Sequence, residues 1–171
     1  MPCSRWPVAV PVEIRRPGSS SPRSHPASRR HTMTDDPIHA FLGDYAAAVL
    51  ERDLARFLDL YAQDVQVFDS WDRWHYAGRE DWGGMIAAWF DGIRDVRVRV
   101  TATEVTTWCD TQVAGGVATL AFTALDAGGE ALRAIENRLT VLMRREQDRW
   151  RVVHQHSSVP VDFQSRQVVA R

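Results

Sequence analysis

The sequence predicts an α+β domain in which helices come first and long antiparallel strands follow. Two observations carry this. Apolar residues recur at helical spacing between Asp36 and Ile93, and from Val96 onward the period switches to two. The third is bulk: 171 residues, 44% hydrophobic and 25% charged, leave room for one core plus a tail.

The first helix starts at Asp36-Pro37, an N-cap followed by proline at the first helical position. Ile38, Phe41, Leu42, Tyr45, Ala48 and Val49 then form one stripe. Asp53 caps a second helix that carries Leu54, Phe57, Leu58 and Tyr61. Residues 65–70 alternate and read as a strand, followed by the irregular aromatic stretch Trp71 to Gly78. Arg79 to Ile93 is a third helix, with Trp82, Met85, Ile86, Trp89 and Phe90 on one stripe. A long strand holds Val96, Val98 and Val100. Further strands are expected over 111–125, 130–145 and 150–160, with turns at Ala127-Gly128-Gly129 and Glu146–Arg149. Three helices against one curved sheet would enclose a cavity.

Charge divides the chain. Residues 1–32 hold six Arg and one acid, Glu13, for +5; the remainder holds fifteen Arg and twenty-one acids, for −6; the sum is the net charge of −1. That balance points to neither a nucleic-acid nor a membrane-surface partner. Residues 1–32, rich in Pro, Ser and Arg, have no apolar period and read as a disordered tail or an upstream extension, and Met33-Thr-Asp-Asp-Pro resembles a natural start. The domain is therefore placed at 33–171. Cys3 and Cys109 fit two free thiols in a reducing compartment, and a cytoplasmic location is expected. No apolar run reaches transmembrane length.

Two stretches carry a family resemblance. Residues 45–69, YAAAVLERDLARFLDLYAQDVQVFD, resemble the start of ketosteroid isomerases and SnoaL-like polyketide cyclases in the NTF2-like superfamily. Residues 149–160, RWRVVHQHSSVP, are similar to SnoaL-like proteins and to the association domain of calmodulin-dependent kinase II. The resemblance implies an NTF2-like (cystatin-like) cone with a pocket, sheet-to-sheet dimers and chemistry without a cofactor.

Asp69 is the leading candidate. It shares a strand face with Val65 and Val67, and a carboxylate turned to an apolar face needs a reason. A structural ion pair or cap would be one, and a catalytic base another. The resemblance implies the base, and it implies that Tyr45, on the apolar stripe of the first helix, donates to a developing oxyanion. Asp72, His75 and Trp71 are expected near the pocket mouth, with His75 a candidate acid–base partner, and Trp89 is expected on the pocket wall. Glu136 and Arg138 share a strand face, as a buried pair or a polar pocket wall. His154 and His156 form a His-x-His pair on one strand face, without a third ligand, so no metal site is expected. Apolar residues on both faces of the later strands point to a homodimer. The expected activity is isomerase- or cyclase-type proton transfer on a small hydrophobic or polyketide-like ligand. The alternative is a non-catalytic binding or assembly domain of the kinase-hub type.

Overall fold

The first apolar stripe becomes α1, Pro37–Glu51, because Asp36 supplies its missing acceptor. The Asp36 carboxylate accepts from the Ile38 and His39 amides at 2.8 and 3.2 Å, and from the Thr107 hydroxyl at 2.6 Å. Burial opposes ionisation of Asp36, but the Thr107, His39 and Ile38 bonds outweigh it and hold its pKa below the ordinary value. The helix ends on Arg52 in the left-handed region (φ 54°). From there the Arg52 guanidinium donates to the carbonyls of Ile93 and Val96 at 3.3 and 3.1 Å, which ties the first helix to the end of the third. The structure, a computed structural model, describes residues 36–169. The expectation for residues 1–32, and Cys3 with it, lies outside them.

Asp53 caps the short α2, Leu54–Asp59. The chain continues into β1, Tyr61–Phe68, then β2, Tyr76–Ala77, and α3, Arg79–Gly92. Four long strands follow: β3, Arg97–Cys109; β4, Val113–Leu125; β5, Ala131–Glu146; and β6, Arg149–Ser158. The sheet order is β2-β1-β6-β5-β4-β3. β3 to β6 form the expected antiparallel meander, whereas β1 pairs with β6 in parallel, so the sheet is mixed. The aromatic stretch after β1, read from sequence as irregular throughout, contains β2 at its end. There the pairing of Val67 with Tyr76 draws the Tyr76 ring into the core.

Irregularities at Thr103/Thr106 between β3 and β4 and at Leu142/Met143 between β5 and β6 bend the sheet around the helices. Helix α1 lies on the β3–β4 end. A Cβ at Gly116 would come within 2.6 Å of Ile38 Cγ2, so glycine sets how closely helix and sheet approach. The core is apolar and aromatic, with Trp82, Tyr61, Tyr76, Phe57 and Ile38 essentially inaccessible to solvent. No helix among the described residues is long and apolar enough to cross a membrane.

Candidate functional site

A cavity of about 430 Å³ remains between α1, α3 and the concave face of the sheet. Its walls are mainly apolar: Met85, Ile86 and Trp89 from α3, Leu120 and Phe122 from β4, Ile135 and Leu139 from β5. Trp89 and Phe122 meet edge to face at 6.1 Å, and half-exposed Trp71 stands at the rim. Aromatic and aliphatic side chains thus make up most of the wall.

Asp69 follows directly on β1 and lines the cavity, on the side of Val65 and Val67. Its Oδ1 accepts a short hydrogen bond from the Ser157 hydroxyl on β6. Ser157 Oγ in turn accepts from the Ser70 amide at 2.9 Å and lies 3.0 Å from the Ser70 hydroxyl. Since the Ser157 proton is committed to Asp69, the Ser70 hydroxyl is the donor in that pair. One carboxylate oxygen is thereby fixed, while Oδ2 has no hydrogen-bond partner among the described residues. No arginine or histidine among them pairs with Asp69, which sets aside the structural ion-pair reading.

Tyr45 reaches the same cavity from α1. Its ring is packed by Phe57 at 5.0 Å and Phe41 at 5.7 Å. Its hydroxyl makes no hydrogen bond among the described residues. Burial, reinforced by the negative charge of Asp69, pushes the phenol well above its ordinary pKa, so it is a neutral donor at any physiological pH. Asn137 contributes a buried Oδ1 with no partner among the described residues, a spare acceptor on the wall. The cavity thus offers a proton acceptor, a phenolic donor and an amide around an apolar space.

Of the other residues singled out from sequence, Trp89 and Trp71 line the cavity and the rest do not. Glu136 and Arg138 are solvent-exposed on the outer face of β5. The inward positions of that strand are Arg133, Ile135, Asn137 and Leu139. The expectation of a polar pocket wall from Glu136 and Arg138 is corrected by this register, since a shift of one residue moves every side chain to the other face. The signal was present: Leu139 is core, so odd-numbered neighbours share its side. Asp72, at φ 64°, turns outward and accepts from the Tyr76 hydroxyl at 3.0 Å. His75 is exposed and outside the cavity, which removes it as an acid–base partner there. His154 and His156 lie on the outer face of β6 against Phe68, at ring distances of 4.9 and 5.8 Å. His154 Nδ1 donates to the Gln66 carbonyl at 3.0 Å. The described residues contain no cluster of three His, Cys, Asp or Glu side chains. Gln155 and Ser157, which alternate with the two histidines, are the buried polar residues of β6 and were not foreseen.

A second cavity of about the same volume lies at the other end of α1, between Phe41, Met143 and Trp150. Its charges satisfy one another: Arg56 pairs with Asp44 at 3.0 Å and Arg151 with Asp59 at 2.8 Å. Among the described residues all of its charged side chains are paired.

Fold and site together define the class, an NTF2-like α+β cone with a side-chain-lined pocket. Residues 38–162 match the SnoaL-like domain family, and the chain belongs to that family. Solved structures agree. An NTF2-like protein of unknown function from Pseudomonas putida is 20% identical with a TM-score of 0.69, over 78% of this chain and 91% of that one. An inferred calcium/calmodulin dependent protein kinase II association domain from Xanthomonas campestris is 19% identical with a TM-score of 0.62, over 79% and 96%. An uncharacterized protein with a cystatin-like fold from Caulobacter vibrioides is 20% identical with a TM-score of 0.59, over 72% and 87%. At these identities the likeness is one of fold. No curated protein matches the chain.

Proposed function

We propose that this SnoaL-like domain binds a small, flat hydrophobic molecule and moves a proton on it without a cofactor. Asp69 is the base and Tyr45 the donor that steadies the resulting enolate. The carrying observation is that a carboxylate with a free Oδ2 and a phenol with no hydrogen-bond partner among the described residues line the same apolar cavity. A buried hydroxyl normally finds a partner, so an uncommitted one is what a donor awaiting a ligand oxygen looks like. Ser157 and Ser70 orient the carboxylate, as a supporting shell does around a working group.

The test uses β-tetralone, a bicyclic ketone with acidic protons beside its carbonyl, in deuterated buffer. The protein is expected to accelerate exchange at that carbon, and Asp69→Asn to reduce the acceleration by about a hundredfold or more, the usual scale for a general base. An unchanged rate in Asp69→Asn would refute the role. A second reading, assembly, is favoured by one observation: Phe68, Leu132 and Leu142 are exposed on the strands opposite the cavity. We propose that this outer face pairs two copies of the chain, and a monomer mass by light scattering at micromolar concentration would contradict it. The two readings concern opposite faces and are compatible.

A further inference from the structure

The cavity wall carries one cation, Arg133, and no ion pair to it exists among the described residues. Arg97, Arg99 and Arg138 also lack ion pairs among the described residues, but of these four only Arg133 lines the cavity. Arg56, Arg73, Arg144, Arg149 and Arg151 all meet carboxylates. Arg133 pairs across the sheet with Ala124, which brings no countercharge. On its other side β6 has already ended, because its last residue, Ser158, pairs with Arg138. Arg133 therefore stands at the open mouth of the cone, on the same inward face as Asn137 and Leu139.

Leu139 pairs with Ser157, the residue that holds Asp69. From Leu139 to Arg133 the strand advances six residues, ~20 Å at ~3.3 Å each. Base and cation are thus at opposite ends of the apolar run, with Ile135, Phe122 and Trp89 between them. A guanidinium presents two parallel N–H groups that match a carboxylate, and at a rim it can bind one without full desolvation.

We infer that Arg133 selects ligands carrying a carboxylate at the end away from the proton-transfer site, so that the ligand class is an elongated aromatic carboxylic acid. The inference rests on the cavity being the binding site proposed above. The carboxylate enters last and stays at the rim, while the ring system fills the space against Trp89 and Phe122. The charge of Asp69 excludes the reverse orientation, since it would bury two carboxylates together.

The test compares pyrenebutyrate with pyrenebutanol, which share the aromatic body and differ only at the terminal group, by fluorescence titration of the full chain. The native protein is expected to bind pyrenebutyrate about fivefold or more tightly than pyrenebutanol. Arg133→Gln should abolish that preference without weakening pyrenebutanol, and Arg133→Lys should keep part of it. Arg133 is exposed, so neither change should move the melting temperature. Ala124→Phe, which narrows the cavity beside Arg133, should weaken both probes. Equal affinities in the native protein, or a preference that survives Arg133→Gln, would overturn the role of Arg133 and leave the cavity reading standing. Binding insensitive to Ala124→Phe, or no binding of either probe, would overturn both.

Discussion

Tyr45 and Tyr61 are both buried aromatics of one core, on either side of Phe57, yet they are finished differently. Phe57 stacks on Tyr61 at 5.3 Å and tilts against Tyr45 at 5.0 Å. The Tyr61 hydroxyl donates to Gln155 Oε1 at 2.7 Å. The Tyr45 hydroxyl has no such partner among the described residues and faces the cavity. In the packed half the Tyr61 hydroxyl and Gln155 satisfy each other, and the one buried side-chain atom left without a hydrogen bond among the described residues there is His39 Nδ1, beside Asp36. Among the described residues the open half leaves Tyr45, Asn137, Trp82 Nε1 and one oxygen of Asp69 unsatisfied, at a cost in stability that a bound molecule would offset. Function is therefore sought in the half that is not finished.

This comparison can be broken most sharply by phenylalanine. Tyr45→Phe is expected to slow β-tetralone exchange roughly tenfold to a hundredfold, as loss of an oxyanion donor does, while leaving stability within about 0.5 kcal/mol. Tyr61→Phe should do the opposite: about 1–3 kcal/mol of stability is lost because Gln155 is left buried and unpaired, with exchange little changed. Equal effects of the two variants in both assays would dissolve the distinction.

At the packed end, Asp36→Ala removes the α1 cap and the bond from Thr107 together. A loss of about 1–2 kcal/mol in chemical denaturation is expected, with ligand binding unaffected. Its pKa is lowered in the folded state, so the stability it contributes is present above the ordinary aspartate value and is lost as pH falls through the folded one. A native-like acid transition in Asp36→Ala would show that another carboxylate governs it.

The last effect is alkaline. Burial, helped by neighbouring negative charge, raises the pKa of both Tyr45 and Tyr61. A raised folded pKa stabilises fully below the unfolded value, and that contribution is lost as pH climbs from there through the folded one. Stability should start to decline near pH 10, the ordinary tyrosine value. A flat profile to higher pH would mean that these phenols ionise in place.

Much of this molecule was legible in its sequence. The capped helices, the period switch at Val96 and the inward turn of Asp69 follow from local rules that the tertiary structure did not override. The parallel pairing of β1 with β6 was not legible, because strand partners far apart in sequence leave no local mark. The cavity wall on β5 was misread for a different reason. Charge drew attention to Glu136 and Arg138, while the alternation around Leu139 placed Asn137 and Arg133 inside. Ser157 was hidden between two more conspicuous histidines. Its importance appears only when β6 is laid beside β1, bringing it to Asp69 across eighty-eight residues of chain.

The most direct test of the central claim, that a small molecule occupies the half of the core around Tyr45 and Asp69, uses the indole N–H signals. Trp71, Trp82 and Trp89 line the cavity; Trp74 and Trp108 are exposed elsewhere, and Trp150 lines the other cavity. With the signals assigned by single Trp→Phe variants, pyrenebutanol is titrated into nitrogen-15-labelled protein. The account expects Trp71, Trp82 and Trp89 to shift together and saturate at one concentration while Trp74, Trp108 and Trp150 stay in place. Movement of Trp150 or Trp108 with Trp82 and Trp89 unmoved would contradict it.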